Sequence, residues 1–311
     1  MAEDELRIGI DLGGSKIEGV LLGAEGRELK RYRVPTPRND YGATIEAIAD
    51  LKGRLVRDVQ SSARVGIAVP GSISPASGLI QNANSTWLNG RAFDRDLAAA
   101  LDTPVLLAND ANCFALSEAI DGAAKNAQVV FGVILGTGCG GGLVVNGRLL
   151  DGPNGISGEW GHNPLPWAKP DEYPGPECWC GRRGCLETWV SGPGMAADHA
   201  RLTGDSHTAQ KIAERAASGD NAAKTTLVRH ADRLARGLAH VVNVVDPDML
   251  VLGGGLSHLS HLYTQLPSLI EAHIFADRCS VVIKPPRWGD ASGVRGAARL
   301  WDIRARHLRP S

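Results

Sequence analysis

Twice this chain runs from a strand through a glycine turn into a second strand, and that doubling limits its fold more than any other feature. The first run is "LRIGIDLGGSKIEGVLLG", an apolar segment that breaks at Gly13-Gly14 and resumes to about Leu22. The second, "VVFGVILGTGCGGGLVVNGRLL", starts near residue 129, with Asn146-Gly147 as a further hairpin turn. Two halves that open alike indicate an internal repeat, and 311 residues suit two domains.

Between and after these openings the periodicity turns helical. Ile45, Ile48, Leu51, Leu55 and Val59 fall on one helical stripe, and "ARVGIAVPG" reads as a strand stopped by Pro70-Gly71. "PVLLAND" is a short buried strand, after which "DANCFALSEAID" begins a helix. A proline-rich loop spans residues 164–176. Beyond it, Leu227, Ala231, Leu234, Leu238, Val241 and Val245 mark a long amphipathic helix. "DPDMLVLGGGLS" then gives turn, strand and glycine loop, and "GVRGAARLWDIRA" a final helix. No low-complexity linker separates the halves, so the expected division is a small α/β domain (1–117 plus 296–311) and a larger one (118–295), flanking a cleft.

Composition narrows the function. A net charge of −1, with Lys and Arg spread along the length, disfavours nucleic-acid binding. The start "MAEDELRIG" carries no apolar signal region, and no run of 18 apolar residues could span a membrane. The expected location is therefore cytoplasmic, and Cys113, Cys139 and Cys279, far apart in sequence, are expected to be buried thiols.

The glycine turns carry the first chemistry. In Asp11-Leu12-Gly13-Gly14-Ser15-Lys16, backbone N–H groups can cradle phosphate oxygens and Asp11 can hold Mg²⁺ through water; an ordinary tight hairpin would look the same. "LGTGCGGG" (135–142) resembles a dinucleotide fingerprint, but a strand follows it where that motif opens a helix, so the Rossmann reading fails. Gly136, Thr137 and Gly138 read better as a second phosphate loop. Gly253-Gly254-Gly255 leaves room for an adenine ring against the backbone. Asn109-Asp110 ends a strand and starts a helix. Both are good caps, yet a carboxylate at such a strand end is also where the general base of phosphoryl transfer belongs.

"CWCGRRGC" (178–185) places three cysteines in eight positions. Cys178 and Cys180 are too close along the chain to pair without strain. With His162 of "GEWGHNPLPW", Cys178, Cys180 and Cys185 make a Cys₃His set that suits a closed structural zinc site; reduced thiols without metal are the plain alternative. Such a metal would fix Glu159, His162 and Glu187 together, suiting a polyhydroxylated ligand.

In this order, "GIDLGGSK", "ANDAN", "LGTGCGGG", "GEWGH" and "CWCGRRGCLE" resemble the ROK sugar kinases, of the actin-like (ribonuclease-H-like) ATPase fold. The resemblance covers nearly the whole chain. "PGSISPASGLIQNANSTWLNG" and "GHNPLPW" look most like the bacterial fructokinase (manno(fructo)kinase) type. It implies ATP and Mg²⁺, with transfer of the γ-phosphate to a hexose hydroxyl, D-fructose first and glucose, mannose or an N-acetylhexosamine as alternatives. It further implies Asp110 as base, Asn84, Asn109, Glu159, His162 and Glu187 on the sugar, a zinc-bound histidine, and a possible homodimer. ROK-type repressors carry a DNA-binding domain before the first strand; about six residues precede it here. A non-catalytic sugar sensor would need neither Asp110 nor both phosphate loops.

Overall fold

The computed structural model describes residues 6–59 and 61–307. The first elements are β1 (Leu6–Leu12), β2 (Lys16–Leu22), β3 (Glu28–Pro35), α1 (Tyr41–Val56) and β4 (Ala63–Val69). Then come β5 (Ser72–Ile73), β6 (Ile80–Gln81), α2 (Phe93–Leu101), β7 (Val105–Asn109) and α3 (Asp110–Ile120). The second opening supplies β8 (Val129–Leu135), β9 (Cys139–Val145) and β10 (Arg148–Leu149). Helices α4 (Glu187–Val190), α5 (Gly192–Thr203), α6 (Ala209–Ala217) and α7 (Asn221–Val245) follow. The chain ends with β11 (Met249–Gly253), α8 (Ser260–Glu271), β12 (Val282–Lys284) and α9 (Ser292–His307).

Ten of the described strands form two five-stranded sheets of matching order, β3-β2-β1-β4-β7 and β10-β9-β8-β11-β12, and β5 pairs with β6 in a small sheet of two. In the first, β1 pairs antiparallel with β2 and parallel with β4; in the second, β8 pairs parallel with β11. The internal repeat read from the two glycine turns is thus present as topology. Asn146 and Gly147 both take positive φ (51° and 71°) between paired Val145 and Arg148, the hairpin turn expected there.

Contacts divide the chain into one unit of Met1–Asn126, Gly142–Ser157 and Asp290–Ser311, and another of Ala127–Gly141 and Gly158–Gly289. The expected passages near 117 and 295 differ from these because each would cut a helix. Residue 117 lies inside α3 and 295 inside α9, and a helix's hydrogen bonds keep it whole. That the hairpin Gly142–Ser157 belongs with the first unit was not expected either.

In the first unit the sheet is covered on both faces, which is why β1 and β4 read as continuous apolar runs rather than alternating ones. Ile8, Ile10, Leu12, Val65 and Ile67 pack with Leu51 and Leu55 of α1 and Leu97 of α2. Val59 lies beyond the end of α1, since Arg57 leaves helical geometry at the C-cap. Helix α9 closes the other face at unusually short range. A Cβ on Gly9 would stand 1.9 Å from the Val294 carbonyl oxygen, one on Gly66 1.9 Å from that of Ala297, and one on Gly296 1.7 Å from that of Cys113. The Trp301 indole N–H bonds Val65 O at 2.7 Å.

In the second unit α7 buries Ala231, Leu234, Leu238 and Val241 as the spacing predicts, but it also buries Arg233 and Arg236. Both pair with Glu172 (2.7 and 2.8 Å), and Arg233 also with Asp198 (3.0 Å). Arg236 further donates to the carbonyls of Pro166 and Trp167, so the proline-rich loop is fastened to α7 by buried, hydrogen-bonded charges. Cys113 and Cys139 are buried thiols as expected; Cys279 is only half-buried, lying in the irregular stretch before β12.

Candidate active site

Helix α3 begins at Asp110, with Asn109 as its N-cap: Asn109 Oδ1 accepts the Ala111 N–H at 2.9 Å, while its Nδ2 donates to Gly71 O at 3.1 Å. Capping therefore falls to Asn109. Asp110 Oδ1 shares the Ala111 N–H at 2.8 Å, and the carboxylate remains accessible to solvent while closely surrounded by protein. That surrounding protein raises its proton affinity, partly offset by the Ala111 N–H and Asn109. A carboxylate held at a helix N-terminus with an upward-shifted pKa is equipped to take a proton from a hydroxyl.

Asp11, on β1, lies close enough to be affected by that charge. Its pKa is pushed up to about 7 by burial, then by Asp110 and by Glu18 across the strand pair, against the opposing pull of Lys16. The glycine turn after it is closed by Gly13 N–H to Lys16 O at 3.0 Å and braced by Thr36 Oγ1 and Arg38 Nε on the Gly13 and Gly14 carbonyls. Gly14, Ser15 and Lys16 are exposed there. A Cβ on Gly293, at the start of α9, would lie 2.8 Å from Asp11 Oδ2, so the carboxylate also rests against a helix N-terminus. Carboxylates with raised pKa values and only one nearby lysine make a donor set that fits a divalent cation. Asn84 stands exposed between β6 and α2, beside Ala83, which Asn89 anchors by two hydrogen bonds of 2.9 Å. A cavity of about 190 Å³ in this unit is lined by Ser72, Asn109, Asn112 and Asp151, residues that sequence reasoning did not connect.

In the second unit, the turn Leu135–Cys139 is closed by Gly136 N–H to Gly138 O at 3.0 Å, and Gly192 N–H bonds Gly136 O at 2.8 Å. Gly136 and Thr137 line a cavity of about 940 Å³ with Gly192 and Pro193 of α5, Thr208, Gln210 and Glu214 of the α6 segment, and Gly255 and His258. The volume suits a nucleotide-sized ligand. Gly254 (φ 78°) passes so close to β8 that a Cβ would lie 2.4 Å from Leu135 O. The α5 and α6 contributions were missed because no motif marks them: Gly192, Pro193 and Ala196 come from α5, and Ala209, Gln210, Ala213 and Glu214 from α6.

His162, Cys178, Cys180 and Cys185 place their ligand atoms within 4.8 Å of one another. Cys178 Sγ lies 3.6 Å from His162 Nδ1, and Cys180 Sγ lies 3.6 Å from Cys185 Sγ. Tetrahedral zinc with bonds of about 2.3 Å to sulfur and about 2.0 Å to nitrogen needs ligand separations of roughly 3.5–3.8 Å, so the set fits. Burial and the neighbouring thiols push Cys185 up to about 12, so three thiolates coexist here only beside a cation. Gly181 and Gly184, at φ 84° and 70°, make the knuckle between the sulfurs possible.

Glu187, the first residue of α4, accepts the Cys139 N–H on Oε2 at 2.9 Å and the Trp179 indole N–H on Oε1 at 2.8 Å. A Cβ on Gly138 would come within 2.7 Å of that Oε2, so the second turn's last glycine leaves room for the carboxylate. Glu159 caps the short turn Trp160–His162, and the His162 N–H bonds the Glu159 carbonyl.

The paired sheets, the two glycine turns, the Asn109-Asp110 strand end and the Cys/His knuckle together are the frame of a two-unit phosphotransferase. Residues 7–304 match the ROK family, and the chain belongs to it. Within the family it is an ATP-dependent sugar kinase. An N-acetyl-D-glucosamine kinase of Pectobacterium atrosepticum is 40% identical over 296 residues, 94% of this chain and 97% of that protein. The ROK hexokinase of Thermus thermophilus superposes with a TM-score of 0.83 at 30% identity, covering 94% of this chain and 96% of that one. A ROK glucokinase from Streptomyces griseus, in complex with glucose and AMPPNP, gives 0.77 at 26% identity, over 95% and 98% of the two chains. None of these three carries the fructokinase name that residues 70–90 suggest.

Proposed function

We propose that this protein transfers the γ-phosphoryl group of Mg-ATP to the primary C6 hydroxyl of N-acetyl-D-glucosamine. The observation that carries the transfer is Asp110: a carboxylate of raised proton affinity, relieved of capping by Asn109, accessible at the N-terminus of α3. It accepts the hydroxyl proton as the oxygen attacks phosphorus. Asp11 would hold the cation, while the backbone N–H groups of Gly14–Lys16 would meet phosphate oxygens; Mg²⁺ when bound neutralises charge on the β- and γ-phosphate oxygens. In the turn closed by the Gly136 N–H, Thr137 and Gly138 supply N–H groups to phosphate, and Gly254 and Gly255 border the base. Asn84, Asn109, Glu159, His162 and Glu187 bind the sugar's hydroxyl groups. Zinc held by His162 Nδ1 and the three sulfurs would use all four ligand positions, a structural role with no site left for substrate.

The relative from Pectobacterium atrosepticum supports the choice of sugar. D-fructose is the second reading, supported by the resemblance of "PGSISPASGLIQNANSTWLNG" and "GHNPLPW" to fructokinases. A coupled ADP-release assay over N-acetylglucosamine, N-acetylmannosamine, glucose, mannose and fructose separates the two. N-acetylglucosamine is expected to lead in kcat/KM; a panel led by fructose restores the fructokinase reading, and a silent panel removes the kinase assignment.

A further inference from the structure

The residue between the first two sulfurs has no part in a metal site, yet it is placed with care. Trp179 is 64% exposed, a poor position for a large apolar ring unless the ring is used. Its Nε1–H donates to Glu187 Oε1 at 2.8 Å, and its face stands edge-on to His162, centroids 5.0 Å apart and planes at 85°. The backbone that carries it is fixed by Cys178 N–H to Arg182 O (2.8 Å) and Gly181 N–H to Cys178 O (3.0 Å). Trp179 is therefore tied at once to the cysteine knuckle, to His162 and to the Glu187 carboxylate.

Glu187 shows why this matters. A glutamate carboxylate turns easily about its last torsion, where the preference is broad and two-fold. The Cys139 N–H holds one oxygen and leaves that rotation open; the indole N–H holds the other and stops it. A carboxylate has about four acceptor positions, so after both bonds roughly one on each oxygen stays available, aimed in a fixed direction. We infer that Trp179 is a positioning residue for sugar recognition, carrying the register of the cysteine knuckle to Glu187 through its indole N–H. This rests on the reading of Glu187 as a sugar ligand.

The test uses Trp179→Phe, which keeps a ring against His162 and removes the N–H, with Glu187→Gln and the double variant. Each full-length protein is titrated with N-acetyl-D-glucosamine by calorimetry, D-fructose in parallel, and its zinc content is measured. For Trp179→Phe the sugar Kd and KM are expected to rise about 10-fold, the loss of one hydrogen bond to a charged group. The KM for ATP and kcat should stay within about twofold, because the bond serves ground-state and transition-state sugar alike. Zinc content should equal the parent's. In the Glu187→Gln background the same change should cost little more, since the two act as one unit. Unchanged sugar affinity, a loss fully additive to that of Glu187→Gln, or a loss that accompanies departure of zinc would each overturn the inference. If Glu187→Gln alone leaves sugar affinity intact, Glu187 is not a sugar ligand, and the inference falls with that reading.

Discussion

The turn after β1 and the turn after β8 hold the same place in sheets of the same order, and each is closed by a glycine N–H at 3.0 Å. Their equipment differs. The first stands beside Asp11, with Glu18 and Lys16 on the next strand, and their charges act on the proton affinity of Asp11. The second, Leu135 to Cys139, contains no charged side chain; the carboxylate beside it, Glu187, comes from α4 and is held by the Cys139 N–H. Repetition has kept the backbone geometry that presents N–H groups and has left side-chain chemistry free to diverge. One copy keeps a carboxylate, Asp11, on its own strand. The other borrows its charge from α4, outside the turn and its strands.

The contrast can be broken most sharply at Asp110, since the second half has no counterpart of it at a strand end. Asp110→Asn keeps size and leaves Asn109 to cap α3, so the protein should fold normally. Its kcat is expected to fall by at least about 10²-fold, the scale of general-base catalysis. A variant with normal turnover and reduced thermal stability would show that Asp110 only braces the helix.

Exchange at the turns themselves comes next. Asp11→Asn is expected to lower kcat/KM by about 10- to 100-fold with a raised Mg²⁺ requirement. Thr137→Ala at the second turn should raise the KM for ATP only about two- to tenfold, one neutral hydrogen bond's worth. Equal losses at both turns would refute the division of labour. Stability offers an independent reading. With the pKa of Asp11 raised to about 7 in the folded, ligand-free protein, the folded state binds the extra proton; its contribution is full below the ordinary carboxylate range and is lost as pH rises through about 7. Asp11→Asn should thus match the parent's Tm near pH 4 and exceed it increasingly up to pH 8 in the absence of Mg²⁺, as thermal scans across that range would register.

The smallest effect belongs to the cysteine knuckle. Cys180→Ser should lower zinc from about one per chain to little or none and raise the KM for sugar several-fold, with ATP affinity nearly unchanged. A metal-free protein of full activity, or one whose ATP affinity collapses while sugar binding survives, would rule out a metal that fixes Glu159, His162 and Glu187 in place.

How much of this the sequence disclosed follows from how local each signal is. The glycine turns, the Asn146-Gly147 hairpin and the Cys/His set lie in short stretches whose residue types permit few geometries. The polar side of α7 misleads for the opposite reason: Arg233 and Arg236 look solvent-facing until Glu172 and Asp198, distant in sequence, cover them. Residue 117 is the expected boundary, although the helical stretch "DANCFALSEAID" runs past it, because nothing local shows that α3 packs on α9. The long cavity wall of Pro193, Gln210 and Glu214 is scattered over separate elements, and no spacing rule gathers it. Trp179 sat in plain view inside the quoted motif, but only coordinates reveal what its N–H touches.

The close seating of α9 has a consequence for biogenesis. Trp301 and Val65, joined by a hydrogen bond, are 236 positions apart, and Gly9 and Gly66 receive their helix only when α9 leaves the ribosome. Until then, one face of the first-made sheet waits with its apolar residues uncovered while the whole second unit is synthesised. Contacts of such long sequence separation slow folding, and an uncovered sheet face is a target for chaperones and for aggregation. Premature termination before Ser292 would therefore disable the half of the protein made first.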